Sequence, residues 1–375
     1  MNVAINICGK NIKVVALQGR RVKKWASADL PPGMVNNGLI LQPKVIGDAI
    51  NRLFKSTGIP RDKVTVSAAG LTFTYRFLKL PRMKPTQVEE AVLRAARKEI
   101  SLPLEDLYVS WQQLPDEGGE LSFFVVGVPR NLIDTILETL KIAGIAPYLI
   151  GLRPLALARV AERRDAIIVN IEPCCFDIVF MSGGIPRVIH TISPRSENAT
   201  LEDNIHRLAN ELTKTAAFYK SNNPEEQLDN NTPLLITGDM AEGTPAIALL
   251  QTEIDYRIQP LVAQVEKPEE MPMDSYATII GLALKKTPSK TAKKHPSANF
   301  IDININILAG KYRKPKAKPV SRVSVLLWIL LAAAVILLYP LYTAYAQVKA
   351  ANTALEIGLN DIKRQINIAT IINED

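Results

Sequence analysis

NVAINICGKNIKVVAL at residues 2–17 and AIIVNIEPCCFDIVFMSGG at residues 166–184 decide the fold. Each reads as strand, tight turn, strand. In the first, VAINI and IKVVAL flank a turn at Gly9, and a third strand, RVKKWASADL, follows a second turn at Gly19-Arg20. Apolar runs of this length, bounded by glycine, predict strands buried in a sheet. In the second, FDIVFMSGG leads into IPRVIHTIS at 185–193. Two mixed α/β halves that open alike imply a duplicated fold that clamps a ligand between its halves.

Further elements follow outward. An amphipathic helix is expected near Gln42–Thr57, and strands at 64–70 and 74–80. Thr86-Gln87-Val88-Glu89 reads as a capping box opening a helix to about Ile100. LSFFVVGVP (121–129) reads as a buried strand, and a helix follows from about Asn131 to Ala143, stopped at Gly144. Past the second hairpin, helices are expected at about Leu201–Ser221, Gly243–Gln251 and Ser275–Lys286, with a strand entering a turn at PLLITGDM (233–240).

The chain has 375 residues, 47% of them apolar, which excludes a disordered polymer. Its net charge of +8 is concentrated. From Lys285 to Arg322 there are eleven Lys/Arg against one acid, Asp302, so the remainder is close to neutral. Nucleic acid is a poor partner for a belt that abuts a span and interleaves few aromatics, Tyr312 among them, and anionic lipid headgroups suit it better. The reason lies just beyond. VSVLLWILLAAAVILLYPLYTAY (323–345) holds no charge in 23 residues, and a helix of that length reaches roughly 34 Å, enough for a bilayer core. Trp328, Tyr339, Tyr342 and Tyr345 sit toward its ends, and Pro340 is expected to kink or stop it. The positive-inside rule places residues 1–322 in the cytoplasm, with a single pass through the cytoplasmic (inner) membrane.

The expected organisation is therefore a cytoplasmic domain at 1–286, a basic linker at 287–322, a span at 323–345 and an extracytoplasmic tail at 346–375. Within the linker, residues 300–308 alternate isoleucine with polar residues and suit docking as an extra strand or in a groove. In the tail, Val348, Asn352, Leu355, Leu359, Ile362 and Ile366 follow a coiled-coil spacing. Three cysteines are too few for a disulfide framework, and Cys8 and Cys174 read as small buried strand-end residues. His190 and His206 have no metal-spaced partner and read as structural or surface residues. No Ser/His/Asp set or paired-acid motif stands out, so no catalytic residue and no metal ligand is assigned.

DLPPGMVNNGLI (29–40), FLKLPRM (77–83), EEAVLRAARKEISLPLEDLYVSWQ (89–112), VVGVPRNLIDTILETLKIAGIAPYLIGLRPLALAR (125–159), ELTKTAAFYKS (211–221) and SYATIIGLALKK (275–286) together resemble the PilM family of type IV pilus assembly. That resemblance implies an actin-like, FtsA-like two-lobed α/β fold. ININILAGKYR (303–313) and the span after it resemble the start of PilN, so the chain looks like a PilM–PilN fusion. Its layout is also similar to GspL of type II secretion. The resemblance implies a scaffold in pilus assembly, with PilN- and PilO-like alignment proteins, the motor ATPase and the platform protein as partners. The alternatives are an ATP-binding switch or weak ATPase, and a type II secretion component.

An actin-like fold implies ATP and magnesium held between two D-x-G hairpins and an adenosine loop. Asn6 and Cys8 stand at the first Asp and Gly, near Gly9, and Lys13 matches a family lysine. Asn170 and Glu172 replace the second Asp and Gly. Thr237-Gly238 of the adenosine loop is kept, with Asp239 at its second Gly. These departures imply weak or absent ATP binding. Carried over from PilN, Ile303, Asn304, Ile305, Asn306, Ile307 and Leu308 are the expected cis ligand of the domain, with Ala309-Gly310 where the family has proline.

Overall fold

The computed structural model describes residues 1–68, 73–115, 119–194, 199–223, 231–241, 245–285, 300–308 and 322–372. The expected ends at 69–70 and 243–244, the linker at 286–299 and the belt at 309–321 lie outside them. The chain forms two compact units, 1–313 and 314–375.

In the first unit, β1 (Asn2–Ile7), β2 (Asn11–Gln18) and β3 (Arg21–Asp29) form an antiparallel meander. A two-stranded ribbon, β4 (Val35–Asn36) and β5 (Leu39–Ile40), leads into α1 (Pro43–Thr57). Then β6 (Val64–Ala68) returns parallel to β1. A subdomain is inserted next: β7 (Thr74–Leu80), α2 (Pro85–Glu99), β8 (Leu107–Gln113) and β9 (Leu121–Pro129), with β9 central in its sheet. The chain re-enters the half through α3 (Arg130–Ile142), β10 (Leu149–Leu152), which is parallel to β6, and α4 (Arg153–Ala161).

The second half repeats the plan. The meander is β11 (Ala166–Glu172), β12 (Cys175–Ser182) and β13 (Ile185–Ile192). After α5 (Leu201–Asn222), β14 (Leu234–Thr237) lies parallel to β11. After α6 (Ala246–Glu253), β15 (Ile258–Pro260) lies parallel to β14, and α7 (Met273–Ala283) closes the globular chain. The two sheet orders, β10-β6-β1-β2-β3 and β15-β14-β11-β12-β13, are the same topology twice.

The helices α4 and α7 lie between the two sheets, and this explains their composition. Residues Arg153–Val160 and Tyr276–Ala283 are buried on every side. A helix apolar all round belongs in a core. Their crossing depends on Gly281, whose added Cβ would stand 2.1 Å from the Ala156 carbonyl oxygen. One core joins both sheets through these helices. A second joins the outer face of the second sheet to α5 and α6, and a third lies between α2 and the inserted sheet.

Three expectations are corrected. Thr86 does not cap α2: the helix starts at Pro85, where proline's fixed φ and missing N–H suit the first turn, and Lys84 is its cap without a side-chain bond. The capping box belongs instead to α5, where Thr200 and Asp203 exchange bonds. The closing helix begins at Met273 and ends at Ala283, two residues earlier and three residues earlier than its sequence bounds.

The second unit is one continuous helix, α8 (Arg322–Ile372), of 51 residues. Pro340 neither stops nor divides it. The Thr343 hydroxyl donates to the Pro340 carbonyl at 2.9 Å. Its Ile329–Arg364 stretch is long and apolar enough to cross a membrane, with mean hydropathy 1.9 in its most apolar window.

Candidate functional site

The tips of the β1–β2 and β11–β12 hairpins meet. Cys8 follows β1 and Cys174 lies in the β11–β12 turn. Their sulfurs are bonded, with Cα atoms 6.5 Å apart. This corrects the expectation of two separate buried thiols: the residues are 166 apart in sequence, and only the duplicated fold brings them together. A Cβ on Gly9 would stand 3.4 Å from the Cys174 Cβ, so the two turns pack directly.

Under the disulfide lies a buried charged cluster. Lys13, on β2, faces Asn6 across the first hairpin. Its ammonium is paired with Asp239, donates to the Ser275 carbonyl at 3.0 Å and stands 3.8 Å from Glu172 Oε2. Asn11 donates to Asp239 at 3.1 Å. Burial pushes the Glu172 carboxyl up to about 7, with the opposing pull of Lys13 too weak to cancel it. Burial would also raise Asp239, but its hydrogen bond and charge contact with Lys13 hold it below the usual carboxylate range.

In the second hairpin Asn170 faces Asp177, and its amide donates to that carboxylate at 3.0 Å. Asp177 also pairs with Arg153 at 2.7 Å and accepts from Thr191 at 2.8 Å. Burial alone would lower the Arg153 pKa, but the Asp177 carboxylate raises it, so the guanidinium stays charged although either side chain is only 1% exposed. Cys175 lies against this guanidinium, and burial still pushes its thiol up to about 12.

Thr237 and Gly238 end β14. The Thr237 hydroxyl and the Gly238 amide both bond the Asp274 carbonyl, at 2.8 and 3.1 Å. Gly238 has φ +111, and an added Cβ would stand 2.4 Å from the Ile171 carbonyl oxygen, so no other residue fits. Asn6 accepts from Ser67 at 2.5 Å.

The residues expected at a nucleotide site therefore gather in one place, but their charges do not suit a magnesium nucleotide. Lys13, the cation expected to meet phosphate, already shares its surroundings with two acidic side chains, Asp239 and Glu172. A polyphosphate brings more negative charge, and like charges 4 Å apart repel by about 4 kcal/mol at an effective dielectric near 20. Asn6 and Asn170 supply neutral amides where a cation needs carboxylates; the Asn6 oxygen already accepts from Ser67, and the Asn170 N–H is committed to Asp177. His190 and His206 lie away from this cluster, beside Glu211 and Glu253.

A second site holds residues 300–308. Ile303, Ile305, Ile307 and Leu308 are buried at 0–3% exposure and belong to the central core. Backbone and side-chain bonds read the segment along its length. Ile301 N–H donates to the Gly184 carbonyl at 2.9 Å, and Ile307 N–H to the Ile150 carbonyl at 3.1 Å. Gln112 accepts from Asn304 N–H at 2.7 Å and donates to the Asp302 carbonyl at 3.0 Å. Ser110 donates to the Asn306 carbonyl at 3.1 Å. The Asn306 side-chain oxygen accepts from Ile150 N–H at 3.0 Å and from Leu308 N–H at 3.1 Å. Arg159 pairs with Asp302 at 2.7 Å and donates to the Ile303 carbonyl at 3.2 Å, while Lys285 donates to the Ile305 carbonyl. The receptor residues Ser110, Gln112, Ile150, Arg159, Gly184 and Lys285 were not expected from sequence. Each is ordinary by type, and only Arg159 carries a signal, as a charge inside an apolar helix.

The architecture is the actin-like α/β fold, two matched sheets around a central helix pair. No protein-family model matches the chain, and no curated protein matches it. Among solved structures, it is similar to a PilM–PilN type IV pilus biogenesis complex, at 22% identity and TM-score 0.62, over 76% of this chain and 97% of that one. The cytoplasmic domain of EpsL, an inner-membrane component of the type II secretion system of Vibrio cholerae, aligns at 14% identity and TM-score 0.46, over 83% of this chain and 99% of that one. The ethanolamine utilization protein EutJ of Carboxydothermus hydrogenoformans aligns at 14% and TM-score 0.44, over 76% and 89%.

Proposed function

We propose that this chain is an inner-membrane scaffold of a type IV pilus-type machine, which holds its own segment 300–308 as a PilN-like ligand and passes once through the membrane. The observation that carries this reading is the seating of residues 300–308, whose Ile303, Ile305 and Ile307 are buried in the globular unit and whose backbone is bonded by side chains of β8, α4 and Lys285. The similarity to a PilM–PilN complex supports the same reading. Residues 1–322 face the cytoplasm on this view, the basic belt lies against anionic lipid, and the tail engages alignment proteins on the other side. Motor ATPase and platform protein are the expected cytoplasmic partners. The charged cluster under the hairpins is structural, and the protein works without turning over ATP.

A short tether explains why docking in cis is effective: about 16 residues (287–302) give a local concentration on the order of millimolar. The test is amide exchange on the full chain in detergent. Ile150, Ile301, Ile307 and Leu308 should be protected, and Asn306→Ala should speed exchange at Ile150 and Leu308 about tenfold or more, because these two buried N–H groups lose their acceptor. Fast exchange at these amides in the wild-type chain overturns the reading.

A further inference from the structure

We propose that the Cys8–Cys174 bond is a reversible covalent latch across the two halves, opened by a dithiol reductant, and that its state sets how tightly the groove grips residues 300–308. The bond joins a turn of the first sheet to a turn of the second. The contacts beside the bond are polar: Lys13 with Asp239, Glu172 and the Ser275 carbonyl, and the Asn11–Asp239 hydrogen bond. Buried oxygens of Asn11 and Asn170 have no bonding partner there. Such contacts close weakly by themselves, so at the tips the covalent bond does most of the fastening, while the core around α4 and α7 holds the halves together behind it.

The sulfurs are arranged for exchange with an outside thiol. Cys8 is 2% exposed, whereas Cys174 is half-buried and is the sulfur within reach. Cys175 lies 3.4 Å from Cys174, yet burial keeps it a thiol, so it does not attack the bond itself. A dithiol's thiolate attacks Cys174 Sγ, the S–S bond breaks, and Cys8 leaves as a thiolate that takes up a proton. The dithiol's second sulfur then displaces Cys174, which is protonated in turn. Two electrons pass to the protein's sulfurs, and the reductant departs as a cyclic disulfide. On the cytoplasmic side proposed above, dithiols keep such bonds open until conditions become oxidising.

The groove senses this because it spans the halves. Ile301 is bonded to Gly184 in the second half, while Ile307 and Asn306 are bonded to Ile150 in the first. This coupling rests on the docking reading; the latch itself does not. Full-length protein in detergent, oxidised or treated with dithiothreitol, is compared by site-resolved amide exchange. Cys8 and Met240 report the hairpin tips, and Ile150, Ile301 and Ile307 the groove. Reduction should expose two thiols to alkylation and speed exchange at both sets at least tenfold. Cys8→Ser should match the reduced wild type and show no further response to reductant. Unchanged exchange at the tips, or an equal response of Cys8→Ser to reductant, overturns the latch. Loosened tips with an unchanged, protected groove overturn the coupling. Loosened tips with a groove already fast when oxidised overturn the docking reading and leave the latch standing.

Discussion

The ammonium of Lys13 stands 3.8 Å from the buried carboxylate of Glu172, so a strand of the first half and the end of a strand of the second meet through a charge contact. Neither residue is more than 5% exposed. Lys13 is thus already engaged in an internal counter-ion arrangement, completed by Asp239.

Calorimetric titration of the full chain with magnesium ATP should therefore give no saturation up to about 1 mM, equivalent to binding weaker than about 4 kcal/mol. A micromolar Kd would sink the view of the cluster as purely structural.

Stability should fall as pH rises toward neutrality. Glu172 has its pKa raised by burial from 4.5 to about 7, so the folded state binds its proton more tightly than the unfolded chain. The benefit is complete below about 4.5 and is lost as pH rises through about 7, a change of roughly 3 kcal/mol. Asp239, with its pKa lowered, acts oppositely and only at more acid pH. Thermal midpoints measured between pH 5 and 8 should slope downward for the wild type and be nearly flat for Glu172→Gln.

Under oxidising conditions Cys8→Ser should cost about 5 kcal/mol by the chain-entropy account, since the bond closes a loop of 166 residues. With dithiothreitol present the two proteins should denature at the same urea concentration. A difference that survives reduction would mean that Cys8 acts by packing rather than by its bond.

Arg153→Met should destabilise the globular unit by about 3–5 kcal/mol, because it strands the Asp177 carboxylate in the core. Adding Asp177→Asn should recover part of the loss. Urea denaturation of the single and double variants reads this directly; no recovery in the double variant would show that packing of the guanidinium stem dominates.

Much of the fold was legible because burial writes itself into periodicity. The two hairpins, α3 and α5 follow from alternation or a 3.6-residue repeat. α4 did not: RPLALARVA is apolar all round apart from Arg153 and Arg159, so it has no face to read, and its helix was missed. Thr86 misled because a capping pattern one residue inside a Pro85 start looks like a boundary. Asn6, Lys13, Asn170 and Glu172 could be named as one group from the resemblance, but not what they do to one another. Asp239 as the mate of Lys13, and Cys174 as the mate of Cys8, are contacts between residues more than 160 positions apart, and nothing local encodes them. The same holds for Gln112 and Ile150 against residues 302–307, where generic side chains act through placement alone.

The two hairpins carry opposite charges at their matching asparagine rungs: Asn6 faces Lys13, and Asn170 faces Asp177. Each charge finds its mate across the boundary between the two halves. Lys13 is answered by Asp239, and Asp177 by Arg153. A chain cut between α4 and β11 would leave fragments with stranded ions in their interiors, two cations in one and two carboxylates in the other. Such pieces should fold poorly alone and better when mixed, since an unpaired buried charge is costly. Two halves of one topology are thus tied to each other by charges that neither can satisfy alone.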